Sequence, residues 1–115
     1  MPAAVVDIII EQGVTFRMPI LLSDADGNAT NLTGYTAKGQ VRTTPGGKLL
    51  ADFTFEGSFD ETGAFEAVID EDITAGIKVA SAVYDILITP PSGSGDKERL
   101  LRGVAIISPS VTVED

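Results

Sequence analysis

A strict alternation of side-chain character over residues 35–42 constrains the fold of this chain more than any other feature of its sequence. The two alternating sets are Tyr35, Ala37, Gly39 and Val41 on one side and Thr36, Lys38, Gln40 and Arg42 on the other. A repeat of two residues is typical of a β-strand that buries one face and exposes the other. Because the turn formers Pro45-Gly46-Gly47 follow, the segment predicts a strand, a hairpin turn and the beginning of a second strand.

The same two-residue repeat recurs along the chain in short runs separated by turn-forming residues. The predicted strands cover residues 5–11, 15–22, 35–42, 49–56, 64–70, 81–90 and 99–107, and residues 111–113 are a candidate for a short last strand. Residues 71–76 form the one predicted helical turn, with acidic residues at its beginning and Gly76 at its end. Residues 91–97 are predicted to form a hairpin tip.

Seven to eight short strands with turns between them predict an all-β fold: a single antiparallel β-sandwich, immunoglobulin-like, that forms one domain over residues 1–115. No internal repeat and no second zone of composition divides the chain. Leu32, Tyr35, Phe53 and Phe55 are predicted core residues. Pro19 has no backbone N–H, so its strand is expected to have a free edge or a bulge at that point.

The composition argues against catalysis, because the chain contains no histidine and no cysteine. These absences remove Ser-His and Cys-His nucleophile pairs, an imidazole base and the usual zinc ligands. We therefore expect no enzymatic activity and no catalytic, cofactor-binding or metal-ligating residue. No cofactor and no small-molecule substrate is expected either.

The formal charge of −9, from 17 acidic and 8 basic residues, argues against nucleic acids and anionic membranes as partners. It suits a solubilising surface or docking onto a basic partner. The longest apolar runs, such as Ile8 to Ile10, are far shorter than a helix that crosses ~30 Å of hydrocarbon. The N-terminus also lacks the pattern of a signal peptide, so a soluble protein is expected.

The acidic run after the second predicted strand invites comparison with a calcium loop. Asp24, Asp26 and Asn28 alternate as oxygen ligands of a hard cation do. An EF-hand loop that begins at Asp24 would need glycine at its sixth position and glutamate at its twelfth, and the chain has Ala29 and Tyr35 there. A turn is therefore the better prediction.

Residues 60–61 and 70–72 supply paired carboxylates of the type that glycosidases use. Such pairs need a fixed separation across a cleft and aromatic platforms, and most of the five Phe and two Tyr lie at core-facing positions. We therefore predict that these carboxylates are solvated charges on loops. Asn28 and Asn31 each begin a glycosylation sequon, which we interpret as a coincidence in a turn rich in Asn and Thr.

Four of the basic residues are predicted to lie on strand faces: Lys38, Arg42, Arg99 and Arg102. The simple interpretation is a solvated sheet surface. The alternative is a polar contact with a neighbouring subunit in a protein that assembles in many copies. The residues alone leave both interpretations open.

Three stretches together resemble small virion proteins of tailed bacteriophages. They read IIIEQGVTFRMPILLSDADGNATNLTGYTAKGQVR, PGGKLLADFTF and SAVYDILITPPSGSGDKERLLRGVAIISPSVT, and they lie within residues 8 to 112. The resemblance lies in an I-x-Q-G-x-T-F beginning, an L-T-G-Y-x-A segment, a Tyr-Asp strand, an R-L-L-x-G return and a terminal V-T. Ala82 stands where such proteins often have glycine. These proteins are associated with tails or baseplates, and the N-terminal domains of baseplate upper proteins, which attach fibres, are similar.

The resemblance implies a non-enzymatic structural protein of the virion, located in the tail or baseplate region as an adaptor or fibre-attachment module. Its partners would be other virion proteins in a multi-copy or homo-oligomeric assembly. Independently of the resemblance, the exposed edges expected at Pro19 and at 111–113 are candidates for pairing with a neighbour by strand addition. A capsid decoration (cement) protein on the head shell is the first alternative. A host-surface glycan-binding module, with Phe59 as an exposed aromatic residue, is the second.

Overall fold

Nine strands and one short helix occupy the part of the chain that the computed structural model describes, residues 4–57, 59–91 and 95–111. In chain order the elements are β1 (Ala4–Val5), β2 (Ile8–Glu11), β3 (Phe16–Leu21), β4 (Thr36–Arg42), β5 (Leu49–Asp52), β6 (Thr54–Glu56), β7 (Ala64–Ile69), α1 (Glu71–Ala75), β8 (Ser81–Thr89) and β9 (Glu98–Ser108).

The element boundaries largely confirm the predicted strands. Two predicted strands, 5–11 and 49–56, are each divided in two, and the other five begin and end within one residue of the prediction. Val111 lies outside any strand. The rest of the candidate strand at 111–113, and residues 92–94 of the predicted hairpin tip, lie outside the described residues.

The strands form two sheets that pack face to face. Sheet A has the order β1-β9-β8-β4-β5, with β2 also paired to β9, and sheet B has the order β3-β7-β6. The predicted β-sandwich is confirmed. Its pairings are antiparallel except those of β1 and β2, which run parallel to β9. The sequence pattern does not predict this parallel addition, because it joins segments from opposite ends of the described chain.

Phe53 marks the point at which the chain leaves sheet A and enters sheet B. It lies between β5 and β6, and its N–H donates to the carbonyl oxygen of Gly39 on β4 at 2.9 Å. A Cβ atom at Gly39 would lie 2.8 Å from a ring carbon of Phe53, so only glycine leaves room for the ring. The prediction that Phe53 is a core residue is confirmed, since only 6% of its surface is exposed.

The Phe53 ring is the centre of a cluster of aromatic rings in the core. Its centroid lies 6.0 to 6.3 Å from those of three neighbours, Phe16, Phe55 and Tyr84. Fully buried aliphatic side chains come from both sheets and from the loops: Ile10, Leu32, Val41, Ile69, Ile77 and Ile86. Burying one side chain of this size contributes about 1.5–3 kcal/mol. Of the other predicted core residues, Leu32 is fully buried, whereas Tyr35 and Phe55 are partly buried.

The segment between β1 and β2 is held against β9 at one close crossing. A Cβ atom at Gly103 would collide with the carbonyl oxygen of Val6, so the main chain passes there only because residue 103 is glycine. The Tyr84 hydroxyl donates to the same carbonyl oxygen, and the Asp7 carboxylate accepts a hydrogen bond from the N–H of Val104 at 3.0 Å. Burial, and to a smaller extent the charge of Asp7, raises the pKa of Tyr84.

β3 is an edge strand of sheet B and contains Pro19. It pairs with β7 on one side, where Pro19 lies opposite Glu66, and no described strand pairs with its other side. The predicted free edge is therefore confirmed. Because proline has no N–H to donate, this edge is a poor template for a further strand.

A buried threonine ties α1 to the chain before β3. Asp70 caps the helix by accepting a hydrogen bond from the N–H of Asp72, and the predicted helical turn ends at Gly76 as expected. Thr74 is fully buried, and its hydroxyl donates to the Val14 carbonyl oxygen at 2.9 Å. Within the described ranges, no helix has the length and apolar character needed to cross a membrane.

Candidate interaction surface

The outward side of sheet A brings the four predicted basic residues onto one surface. Inward side chains such as Val41 and Ile86 fill the core, so the residues that alternate with them point outward. The outward residues form three rows across the strands: Asp52, Gln40, Asp85, Arg102 and Val5; Leu49, Arg42, Val83 and Val104; and Lys38, Leu87 and Arg99. The predicted strand-face positions are confirmed, and we call this surface the cationic face.

A trough with a volume of about 730 Å³ crosses the cationic face. It lies between the turn at Pro45 and Gly46 on one side and Val5 on the other. Three arginines and three aliphatic residues are among those that line it: Arg42, Arg99, Arg102, Val83, Leu87 and Val104. The trough therefore combines guanidinium groups with an aliphatic floor.

Arg42 is held in place by a neighbour on β4 and by the hairpin turn. Its Nε and Nη2 donate to Gln40 Oε1 at 3.1 and 2.8 Å, and its Nη1 donates to the Gly47 carbonyl oxygen at 2.7 Å. Gln40 Nε2 donates in turn to Asp52 Oδ1 at 2.9 Å. Since a guanidinium has five N–H donors, Arg42 retains unused donors while its orientation is fixed.

Arg99 and Arg102 differ in what they contact. Arg99 Nε donates to Asp85 Oδ2 at 3.0 Å in an ion pair that is open to solvent. Arg102 lies opposite Asp85 in the strand register, but its side chain makes no hydrogen bond or ion pair with any other described residue. An exposed pair contributes only about 0–1 kcal/mol, so a carboxylate from another molecule can compete for Arg99 as well.

The outward side of sheet B has one arginine, Arg17, and two glutamate side chains contact it. Arg17 Nη1 donates to Glu66 Oε1 at 2.8 Å and to Glu56 Oε1 at 3.4 Å. The hydrogen bond to Glu66 and, after it, that to Glu56 raise the pKa of the Arg17 guanidinium. The positive charge of this face is therefore balanced within the molecule.

Residues 24–28 form the turn that the sequence predicts. Asp24 Oδ1 accepts hydrogen bonds from the N–H groups of Asp26 and Asn28 at 2.9 and 3.0 Å. Gly27 has a φ of 87°, a conformation that glycine adopts without strain. The Asp24 carboxylate is thus engaged by its own loop. Residues 4–57, 59–91 and 95–111 contain no cluster of three or more acidic residues placed to hold a metal ion.

The carboxylates at 60–61 and 70–72 are separated by the length of β7, so they do not form a pair across a cleft. Asp60 Oδ1 accepts hydrogen bonds from the Thr62 hydroxyl at 2.6 Å and from the Thr62 N–H at 2.9 Å. These hydrogen bonds hold the pKa of Asp60 below its ordinary value. The general acid of a glycosidase needs a raised pKa, and Asp60 has the opposite shift.

Phe59 and Asn31 contribute to packing and to turn structure. The ring of Phe59 is partly buried, with its centroid 4.9 Å from that of Phe65. The expectation that Phe59 is an exposed aromatic residue is therefore wrong, because the ring packs onto the core. Asn31 Oδ1 accepts hydrogen bonds from the N–H and the hydroxyl of Thr33 at 3.0 and 2.7 Å, so the second sequon forms a local turn.

The aliphatic part of the cationic face is what sequence reasoning misses. Val83, Leu87 and Val104 occupy the solvent side of their strands, beside the charged residues Asp85 and Arg102. Their signal is present in the alternation, since aliphatic residues recur on the polar side of β8 and β9. Single exposed aliphatic residues are ordinary, and only the strand order shows that these three lie together.

Comparisons with known proteins identify the fold. The sequence matches no protein-family profile and no curated protein. A VGSC beta subunit, studied for multimeric cell-adhesive interactions, has a TM-score of 0.50 and 14% sequence identity over 94% of this chain and 93% of that one. Tim-1 has a TM-score of 0.50 and 12% identity over 98% of this chain and 100% of that one. These likenesses confirm the predicted immunoglobulin-like sandwich, although the chain has neither the cysteines nor the tryptophan of antibody domains.

Proposed function

We propose that this chain is a non-enzymatic structural protein that binds other protein subunits through the cationic face. The observation that carries the proposal is Arg102, which has no side-chain partner in the described part of the chain and borders a trough with an aliphatic floor. Arginine is enriched in protein interfaces, and apolar area is concentrated at their centres. A guanidinium also binds a carboxylate through two parallel hydrogen bonds, which fixes orientation as well as adding affinity.

Protein partners fit this surface better than nucleic acids or sugars. Nucleic-acid sites combine an excess of positive charge with aromatic rings for stacking, and this chain carries a formal charge of −9. Tyr84, the aromatic residue of β8, is buried and provides no platform on the face. The glycan-binding alternative also loses its candidate residue, because Phe59 packs on Phe65.

The fold supports a role in protein assembly. The VGSC beta subunit that shares it was studied for multimeric cell-adhesive interactions. This likeness is consistent with a protein-binding role for the present chain.

We further propose that the assembly is a bacteriophage virion, in which the chain serves in the tail or baseplate as an adaptor or fibre-attachment module. The resemblance of residues 8 to 112 to small virion proteins of tailed phages supports this location. Its partners would be other virion proteins in a multi-copy or homo-oligomeric assembly. A capsid decoration protein on the head shell is the alternative within the same particle.

Mass spectrometry of purified virions tests the location. A copy number that is a small multiple of three or six supports the tail or baseplate, because these structures have that symmetry. Hundreds of copies per particle would support decoration of the head. Absence of the chain from purified particles would remove the virion proposal.

Virions assembled with an Arg102→Glu variant test the cationic face. We expect the variant to fold and its incorporation to fall, because glutamate repels the carboxylate that Arg102 binds. Lys97→Glu makes the same change of charge at an exposed lysine before β9, outside the rows of the cationic face. This control should be incorporated normally, and equal incorporation of the two variants would contradict the proposal.

A further inference from the structure

α1 and the chain beside it form a second exposed surface, which the proposed function leaves unexplained. We call it the acidic tip and define it by Asp70, Glu71, Asp72, Ile73 and Val14. Ile73 and Val14 are 41% and 51% exposed. The hydrogen bond from the Thr74 hydroxyl to the Val14 carbonyl oxygen holds the backbone of residue 14 against α1.

The carboxylates of Glu71 and Asp72 are available to another molecule. Neither accepts a hydrogen bond or forms an ion pair with the described residues. At the other end of sheet B, Asp24 and Asp60 accept hydrogen bonds from their own loops, whereas the carboxylates of Asp26 and Glu61 accept none from the described residues. The acidic tip differs in placing two consecutive unpartnered carboxylates next to an exposed aliphatic residue, Ile73.

We propose that the acidic tip of one copy of this chain docks into the trough of the cationic face of a second copy. The face offers unused guanidinium donors beside Val83 and Val104, and the tip offers unused carboxylates beside Ile73. A second copy is the favoured occupant because both complementary surfaces are present on the same chain. The inference rests on the proposed function, since it names a partner for the cationic face.

The two surfaces are different, so the contact joins unlike parts of successive copies. The cationic face lies on the outside of sheet A, whereas the acidic tip follows the last residue of β7 in sheet B. A copy that docks its tip still has a free face for the next copy. Contacts of this kind form a closed ring or an open filament, depending on the rotation between neighbours.

Net charge opposes this association at long range, while local charge favours it at contact. Each copy carries −9, but at about 0.15 M salt charges more than ~8 Å apart are largely screened. At about 1 M salt the screening length falls to ~3 Å, so the attraction between arginines and carboxylates should weaken as well. We therefore expect assembly near physiological salt and dissociation at high salt.

Sedimentation velocity of the full chain tests the contact with two complementary variants. The face variant is Arg102→Glu, and the tip variant combines Glu71→Gln with Asp72→Asn. Each should be monomeric at a concentration at which the unchanged chain assembles, and each should keep its thermal unfolding temperature by circular dichroism. An equal mixture should form a one-to-one pair and nothing larger, because one intact tip and one intact face remain between them.

The matched control removes two charges at the other end of sheet B. It combines Asp26→Asn with Glu61→Gln and should assemble as the unchanged chain does. Loss of assembly in this control with normal assembly of the tip variant would overturn the inference, because the occupant would then be the other acidic end. If Arg102→Glu prevents folding, Arg102→Ala replaces it in the same comparison.

Two further outcomes would overturn the inference: a chain that stays monomeric at about millimolar concentration, and a tip variant that assembles normally, which indicates a face-to-face pair. These outcomes are separable from the proposed function. A monomeric chain that is found in virions overturns the inference alone. A chain that assembles through tip and face and is absent from virions overturns the virion proposal alone.

Discussion

The outward faces of sheets A and B carry arginines of equal exposure in different surroundings. The side chains of Arg17 on sheet B and Arg99 on sheet A are 51% and 52% exposed. Arg17 lies between Glu56 and Glu66, and Arg99 pairs with Asp85 alone, whereas the neighbouring Arg102 on sheet A has no side-chain partner among the described residues. Exposure alone therefore does not identify a binding surface. The informative property is whether the charge is already balanced within the molecule.

Both faces depend on one core, so the largest expected effect comes from removing its central ring. Phe53→Ala deletes the contacts with Phe16, Phe55 and Tyr84 and leaves a cavity between the sheets. We expect the free energy of unfolding, measured with urea, to fall by about 3–5 kcal/mol. Leu21→Ala at an exposed position of β3 is the control and should cost less than about 0.5 kcal/mol. Equal costs would mean that the sheets do not share this core.

A smaller effect, confined to sheet A, is expected from Gly103→Ala. The added methyl group collides with the Val6 carbonyl oxygen, so β1 and β2 must move away from β9. We expect the free energy of unfolding to fall by about 1–3 kcal/mol. Amide hydrogen exchange should be accelerated, relative to the unchanged chain, more in Ile8–Glu11 than in β3. Gly76→Ala is the control, because its added methyl group would have its nearest neighbour at 3.4 Å. Uniform acceleration of exchange in both sheets would contradict a local effect.

The same substitution made on each face should separate stability from binding. Arg17→Glu places a third carboxylate beside Glu56 and Glu66, so we expect a lower melting temperature and no change in self-association. Arg102→Glu breaks no hydrogen bond or ion pair in the described chain, and we expect an unchanged melting temperature with self-association weakened about tenfold or more. Circular dichroism and sedimentation measure the two properties. If both variants lowered the melting temperature equally, Arg17 and Arg102 would not differ in their contribution to stability, and the proposed difference between the faces would be wrong.

The smallest predicted effect sharpens the contrast between the two acidic ends of sheet B. Hydrogen bonds from Thr62 lower the pKa of Asp60 below the ordinary value of 3.8. The stability that this carboxylate contributes is therefore present above that value and is lost as the pH falls through the lower folded pKa. Thr62→Val should lower the melting temperature slightly at about pH 7 and leave it unchanged at about pH 2. An equal decrease in melting temperature at both pH values would show that Thr62 stabilises the protein through packing and not through its hydrogen bond to Asp60.

The alternation of side chains predicts most strands, and its limit is visible at Phe53. The repeat continues unbroken through residues 49–56, because Phe53 keeps facing the core while its strand changes partner. A local pattern records which side a residue faces and carries no information about the strand beside it. The parallel pairing of Ile8 with Ala105 is unpredictable for the same reason.

The candidate surface could be predicted residue by residue but not as a surface. Arg42, Arg99 and Arg102 follow from the alternation, whereas their convergence depends on β4, β8 and β9 being neighbours in sheet A. For Phe59 the prediction for the single residue is itself wrong. A loop position predicts exposure, but the ring reaches back to Phe65, a contact that no local pattern encodes. The virion location stays a prediction.

The parallel pairing of β2 with β9 also has a mechanical consequence. Ile8 lies beside Ala105 and Glu11 beside Ser108, with both strands running in the same direction. Tension on the chain before β1 and after β9 pulls the two strands in opposite directions along their length. The hydrogen bonds between them are then loaded in shear at the same time, whereas the bonds of a hairpin pulled from its open end break one after another. A subunit built in this way resists stretching where its chain enters and leaves the sandwich.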